Sequence, residues 1–241
     1  MYYMDYTYFI YVLPAIILSL IAQSFVKNRF ARYSNMRSSE NLTGREAARM
    51  ILQQYNIDDV EIRSINGSLT DNYNPATKVL SLSRDTYDDT SIAAIGVAAH
   101  EVGHAIQHHT KYFPLVFRKL LVPVANLGSQ IGPVLIILGI IFTGSAKSEA
   151  SSPFLFNLTN LGILLFCCSV LFYIVTLPVE FNASRRALSI LKKSNMLTDQ
   201  ELTGARKVLT AAALTYVASA LTAIGTLLRL LVLTGRTRNR R

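Results

Sequence analysis

One stretch of the chain, residues 90–109, reads TSIAAIGVAAHEVGHAIQHH and decides the fold of the region around it. Thr90 or Ser91 can cap the start of a helix, because a side-chain oxygen there accepts a hydrogen bond from a free backbone N–H. The apolar residues that follow continue the helix to the end of the stretch. Residues four apart lie on the same helical face, so His100 and His104 point in the same direction. The stretch therefore predicts a helix with two imidazoles side by side.

The two histidines flank a glutamate in the pattern of a hydrolytic zinc site. Neutral imidazoles bind zinc at about 2.0–2.1 Å, and the metal lowers the pKa of its bound water toward about 7. Glu101 points toward the open side of such an ion, where it can take the proton of the water and pass it to a leaving amine. A chance match on an amphipathic helix is the alternative, but all 4 histidines of the chain lie in this stretch. We therefore predict one zinc ion per chain, with His100 and His104 as ligands and Glu101 as general base.

A catalytic zinc has three protein ligands and one open position, so a third ligand must come from another segment. Geometry argues against His108, because eight residues of helix rise about 12 Å, whereas two donors on one zinc lie at most about 4 Å apart. His108 and His109 are predicted to be solvated or to support the ligands. Glu180 follows an apolar segment, and a carboxylate at a membrane boundary costs desolvation free energy unless a cation compensates it. We predict Glu180 as the third ligand; an ion pair with Arg185 or Arg186 is the alternative.

The composition indicates a membrane protein. Of 241 residues, 51% are hydrophobic and only 16% are charged, which is too few charges for a wholly soluble domain. A membrane-spanning helix needs about 20 mainly apolar residues. Four segments meet this requirement, at about residues 8–26, 120–142, 154–177 and 211–233. The net charge of +9 then indicates contact with lipid headgroups, and we predict no nucleic-acid partner because no nucleic-acid-binding motif is present.

Basic residues predict which side of the membrane each segment faces. Arg29 and Arg32 follow the first apolar segment, and Arg118 and Lys119 precede the second, so the stretch between them is cytoplasmic by the positive-inside rule. The active site is therefore predicted to face the cytoplasm, with an outer loop at residues 144–152. The basic tail after the fourth segment conflicts with a full crossing, so whether that segment spans the bilayer or only dips into it stays open.

The stretch from residue 35 to residue 110 has the composition of a soluble domain. Thr43 and Glu46 form the Ser/Thr-x-x-Glu pattern that begins a short amphipathic helix. Strand-like segments follow at residues 60–65, 69–73 and 78–83, and Asn74-Pro75 marks the turn between the last two. This order predicts a small α+β domain.

Three segments together resemble one family of proteins. They are residues 98–108 (AAHEVGHAIQH), 69–75 (LTDNYNP) and 177–188 (LPVEFNASRRAL). These motifs and the order of apolar segments are similar to the YugP-like neutral zinc metallopeptidases of bacterial membranes, over residues 43–231. The resemblance implies a mainly α-helical, multi-pass integral membrane protein of the cell membrane with a small α+β, zincin-like (gluzincin) catalytic domain. It further implies a zinc metallopeptidase acting on membrane or membrane-associated polypeptides.

A more distant resemblance links the segment at Glu180 to the HtpX-type heat-shock proteases and the CAAX prenyl endopeptidases, where it supplies the third zinc ligand. Those relatives have an aspartate four residues after the ligand that orients a histidine, whereas this chain has Ser184. A serine can accept a hydrogen bond but lacks the charge, so its support of the metal site stays open.

Gluzincins also have an edge strand beside the zinc helix that pairs with the substrate backbone. The resemblance allows residues 78–83 or 69–73 in this role. It leaves the group that stabilises the oxyanion of the tetrahedral intermediate open among Tyr73, Tyr112, Arg185 and Arg186.

The expected layout has five parts. They are an N-terminal membrane anchor (1–33), a cytoplasmic zincin-like domain with the HExxH helix (34–119), a transmembrane hairpin (120–177), a cytoplasmic third-ligand segment (178–210), and a C-terminal apolar segment with a basic tail (211–241). The function expected from these features is zinc-dependent endopeptidase activity. A non-catalytic zinc-containing membrane adaptor or chaperone is the alternative, and Glu101 argues against it because a structural zinc site has no need of a general base. A small transporter would need matching broken helices, which the sequence does not show.

Overall fold

The computed structural model describes residues 6–145 and 153–238, most of which are helical. The predicted outer loop at 144–152 falls almost entirely outside the described residues. In chain order the elements are α1 (Tyr6–Tyr11), α2 (Leu13–Ser34), α3 (Gly44–Gln54), β1 (Glu61–Ile65), β2 (Asn72–Asn74), β3 (Val79–Ser83), α4 (Arg84–Tyr87), α5 (Ile92–His109), α6 (Phe113–Ser145), α7 (Pro153–Lys193) and α8 (Asp199–Arg238).

Four helical stretches of the described residues are long and apolar enough to cross a membrane. They are Tyr6–Ser34, Phe113–Phe142, Asn157–Lys193 and Asp199–Gly235. The first, second and fourth contain an entire apolar segment found in the sequence, and the third contains residues 157–177 of the segment at 154–177. The prediction of a mainly helical membrane protein with a small α+β region is confirmed.

The described residues of Met1–Leu20, Phe117–Thr176 and Tyr216–Arg241 form one compact unit. Within it, α6 and α7 approach closely at Gly128, where a Cβ would collide with the carbonyl oxygen of Leu165. The buried hydroxyl of Ser169 donates a hydrogen bond to the Ala125 carbonyl oxygen across the same helix pair (2.7 Å). Small side chains let the two backbones come together, as is usual for helices packed in a membrane.

The second compact unit comprises Ile21–Val116 and Leu177–Thr215. Its core is built from side chains of α3, β3, α5 and the ends of α7 and α8, including the fully buried residues Ile51, Leu80, Leu82, Ile95, Ile106 and Leu191. Local sequence signals start its helices as expected. Thr43 and Glu46 form a complete capping box at α3, and the hydroxyl of Ser91 accepts from the Ala94 N–H at the start of α5.

The small sheet of this unit has the strand order β1-β3-β2. Strand β3 is parallel to β1, with Glu61 opposite Val79, and antiparallel to β2, with Asn74 opposite Val79. The prediction that residues 78–83 could form the edge strand for substrate is therefore wrong. Because β3 is paired on both sides, most of its backbone hydrogen-bonding groups are already used, whereas β2 lies at an edge.

Helices α7 and α8 continue without a break through positions predicted as segment boundaries. The apolar part of α7 and the segment with Glu180 belong to one helix of 41 residues. Likewise α8 is one helix of 40 residues that continues across the boundary predicted between residues 210 and 211. The rotation of Glu180 about the helix axis is consequently set by the regular geometry of a single helix.

Candidate metal centre

The close contact of α5 with α7 builds the site. Gly103 of α5 lies against the backbone of Ala183 of α7, where a Cβ would be only 2.8 Å from the Ala183 carbonyl oxygen. Any larger residue at position 103 would separate the two helices. Gly103 lies between the two histidines in α5, and Ala183 lies three residues after Glu180 in α7. This contact therefore brings the three side chains together.

The two imidazoles and the carboxylate converge on one point. His100 Nε2 lies 3.3 Å and His104 Nε2 lies 3.4 Å from the same oxygen, Oε2 of Glu180. The imidazole rings are 4.8 Å apart and nearly perpendicular, at 87°. The side chains are 12%, 13% and 5% exposed for His100, His104 and Glu180, respectively. The cluster is therefore largely shielded from water.

The donor set fits a zinc ion. One ligand atom from each of the three residues lies within 4.8 Å of the others. Among residues 6–145 and 153–238, these are the histidine and acidic side chains placed closely enough to hold one metal ion together. Two donors about 2.05 Å from one ion at a tetrahedral angle lie about 3.3 Å apart, which is close to the two nitrogen–oxygen distances here. Two imidazoles with one carboxylate form a ligand set known from catalytic zinc sites, and it leaves a fourth position open.

Glu101 shares the environment of the cluster. Burial raises the pKa of Glu101, the charges of Glu180 and Asp71 raise it further, and the neighbouring His100 and His104 oppose the shift. For His104, burial lowers the pKa, but the hydrogen bond and charge of Glu180 outweigh it and leave the pKa raised. A carboxyl group whose pKa is raised holds a proton more readily than it would in water, which suits a residue that must accept one and release it.

Each imidazole has a hydrogen-bond partner on its second nitrogen. Ser184 Oγ lies 3.1 Å from His100 Nδ1, so the serine does contact a histidine. Gln107 Oε1 lies 3.0 Å from His104 Nδ1. The sequence analysis did not identify Gln107, although its position three residues after His104 on the same helical face could have indicated it.

The other candidate residues fall into different surroundings. Tyr73 on β2 has its phenol oxygen 3.0 Å from Nδ1 of the half-buried His108, and burial raises the pKa of Tyr73. Arg186 donates from Nε to Asn182 Oδ1 (2.8 Å), and its guanidinium lies 5.9 Å from the centre of the Tyr112 ring. Arg185 and His109 are exposed.

Comparison with known proteins identifies the family of the chain. The family profile described as "Putative neutral zinc metallopeptidase" matches residues 8–235. The chain is 44% identical over 229 residues to "Putative membrane protease YugP" of Bacillus subtilis (strain 168), covering 94% of this chain and 97% of that protein. No solved structure matches the chain. The match over nearly the whole length shows that this chain belongs to the neutral zinc metallopeptidase family of YugP-like membrane proteases.

Proposed function

We propose that the chain is a membrane-embedded zinc endopeptidase of the HExxH gluzincin type. The observation that carries this proposal is the convergence of His100, His104 and Glu180 on one point beside Glu101. His100, His104 and Glu180 would hold the zinc ion. A structural zinc site would instead use four protein ligands and would have no need of a general base beside them.

The chemistry divides among the residues of the site. Bound zinc supplies a Lewis acid that polarises the peptide carbonyl and makes water nucleophilic near neutral pH. Glu101 accepts a proton from the attacking water and delivers it to the nitrogen of the departing amine. Ser184 and Gln107 hold the outer nitrogens of the two imidazoles, so the inner nitrogens stay directed at the metal position.

For the oxyanion we propose Tyr73. It lies on the edge strand β2, and its phenol group reaches His108, one turn beyond His104 on α5. The other three candidates do not lie on the edge strand: Tyr112 follows α5, and Arg185 and Arg186 lie on α7, which makes them weaker candidates. The exposed side of β2 is the edge to which we assign the substrate backbone.

The substrates we propose are membrane or membrane-associated polypeptides, cleaved on the cytoplasmic side. Four helices that are long and apolar enough to cross a membrane support the membrane substrates, since such helices would anchor the chain in a bilayer. The basic residues on both sides of the catalytic domain support cleavage on the cytoplasmic side. We also propose that the chain has the five-part layout described above, with boundaries at 33/34, 119/120, 177/178 and 210/211.

The test is the substitution Glu101→Gln in the full-length protein. It preserves the size of the side chain and removes the base, so we expect cleavage of an unfolded polypeptide to fall by about 10²-fold or more, with zinc content unchanged. The exposed Glu40→Gln makes the same chemical change in a loop and should cleave at the parent rate.

The same variant separates an enzyme from an adaptor. A cellular phenotype that survives Glu101→Gln but disappears with His100→Ala would identify a zinc-containing adaptor. Cleavage at the parent rate by the purified Glu101→Gln protein would show that the proposed mechanism is wrong even with zinc bound.

A further inference from the structure

Gln107 is a completely buried amide that uses both of its ends. Its oxygen Oε1 lies 3.0 Å from His104 Nδ1. Its nitrogen Nε2 donates to the backbone carbonyl oxygen of Val179 at 2.8 Å and to Asn182 Oδ1 at 3.0 Å. A buried polar group with every bond satisfied is rigid, because any rotation would leave a polar atom without a partner.

These contacts determine the orientation of the amide and the tautomer of His104. Turning the amide over would place its oxygen against the two oxygens of Val179 and Asn182, which is repulsive. Oε1 therefore faces His104, and because a carbonyl oxygen only accepts, His104 Nδ1 must carry the hydrogen. In the neutral ring the lone pair is then on Nε2, the nitrogen 3.4 Å from Glu180.

Gln107 also connects the helices that carry the ligands. Val179 directly precedes Glu180 in α7, so one amide contacts a ligand side chain of α5 and the backbone next to the ligand of α7. The Nε–H of Arg186 donates to the same oxygen of Asn182 (2.8 Å) and holds that acceptor in place. The tautomer of His100 is not fixed in this way, because the Ser184 hydroxyl at its Nδ1 can either donate or accept a hydrogen bond.

We propose that Gln107 is a positioning residue that fixes the tautomer of His104 and aligns its Nε2 with Glu180, with Asn182 as the anchor of the amide. This inference rests on the proposed role of His104 as a metal ligand. It places a determinant of zinc affinity in a residue that touches neither metal nor substrate. Replacing a hydrogen-bond partner of a metal-binding histidine typically weakens metal affinity by about 10- to 100-fold.

The first test is Gln107→Leu in the full-length protein in detergent. Zinc affinity is measured by competition with a chelator, and the unfolding midpoint is measured with zinc and after its removal. We expect zinc to bind about 10- to 100-fold more weakly and the zinc-dependent rise in the midpoint to shrink accordingly. A merely structural role would lower both midpoints equally and leave zinc affinity unchanged, which would overturn the proposal.

Ser169→Ala is the matched control. It also removes a buried hydrogen bond of α7, from the Ser169 hydroxyl to the Ala125 carbonyl oxygen, but Ser169 belongs to the other compact unit and precedes Glu180 by 11 residues in α7. It should lower both midpoints together and keep the parent zinc affinity. A loss of zinc affinity as large as that of Gln107→Leu would show that general weakening of the fold explains the effect, against the proposal.

A second pair of variants decides the matter if Gln107→Leu does not fold. Asn182 is only partly buried, and Asn182→Asp keeps the acceptor oxygen for Gln107 and Arg186, whereas Asn182→Leu removes it. We expect Asn182→Leu to bind zinc several-fold more weakly and Asn182→Asp to restore binding close to that of the parent. Equal zinc affinity of the two variants would overturn the proposal.

His104→Ala separates this inference from the proposed function. If His104→Ala keeps zinc, the ligand assignment fails and the inference fails with it. If His104→Ala loses zinc while Gln107→Leu and Asn182→Leu keep the parent affinity, only the positioning role of Gln107 is refuted.

Discussion

Gly103 of α5 and Ala183 of α7 touch through their backbones, so that a Cβ on Gly103 would lie 2.8 Å from the Ala183 carbonyl oxygen. These two residues are far apart in the chain but each is close to a candidate ligand on its own helix. Their contact packs the histidine helix directly against the helix with Glu180. The metal cluster therefore depends on the absence of a side chain at position 103.

Gly103→Ala should consequently damage both the fold and the site. The added methyl group must push the two helices apart, and overpacking of this kind costs about 1–3 kcal/mol. We expect a lower unfolding midpoint and weaker zinc binding, measured by thermal unfolding and chelator competition. Gly235→Ala is the control, because nothing lies within 4 Å of a Cβ there, and it should be neutral or slightly stabilising. Parent-like zinc binding by Gly103→Ala would contradict the tight-contact explanation.

Glu180→Ala should abolish stoichiometric zinc binding at concentrations where the parent is saturated. Two imidazoles alone rarely hold zinc, so the loss should exceed the about 10- to 100-fold that is typical of a supporting residue. The measurement is zinc per chain after gel filtration. Asp199→Ala, which removes an exposed carboxylate of the Lys192 ion pair, should keep its zinc. Full zinc occupancy in the Glu180→Ala protein would exclude Glu180 as a ligand.

The orientation in the membrane is testable by cysteine labelling. In a background with Cys167 and Cys168 replaced by alanine, Arg84→Cys and Lys192→Cys should resist an impermeant reagent in intact cells, and Lys147→Cys should react. Arg84 and Lys192 are exposed side chains, so both should react once the membrane is permeabilised. Labelling of Arg84→Cys in intact cells would place the catalytic domain outside and invert the proposed topology.

The sequence predicted most of the helices and the histidine pair because these depend on local rules. The capping box of Thr43 and Glu46 and the cap of α5 at Ser91 involve residues three positions apart, and the shared face of His100 and His104 follows from helical periodicity. Glu180 was inferred from its position after an apolar hairpin. The wrong assignment concerned β3, since which strand of a sheet is central depends on pairing between distant segments and leaves no mark in a five-residue pattern.

By itself, then, the sequence determined the four helices that are long and apolar enough to cross a membrane, the helix with the histidine pair, and the kinds of side chain available to a metal. Tertiary structure decided which of their atoms meet. The bond from Ser184 to His100 joins residues 84 positions apart, and that from Gln107 to Val179 joins residues 72 apart. Such contacts arise from how closely two helices pack and how each is rotated about its axis, as at Gly103. Periodicity within one segment places a side chain on a face, but only the neighbouring segment determines what that face touches.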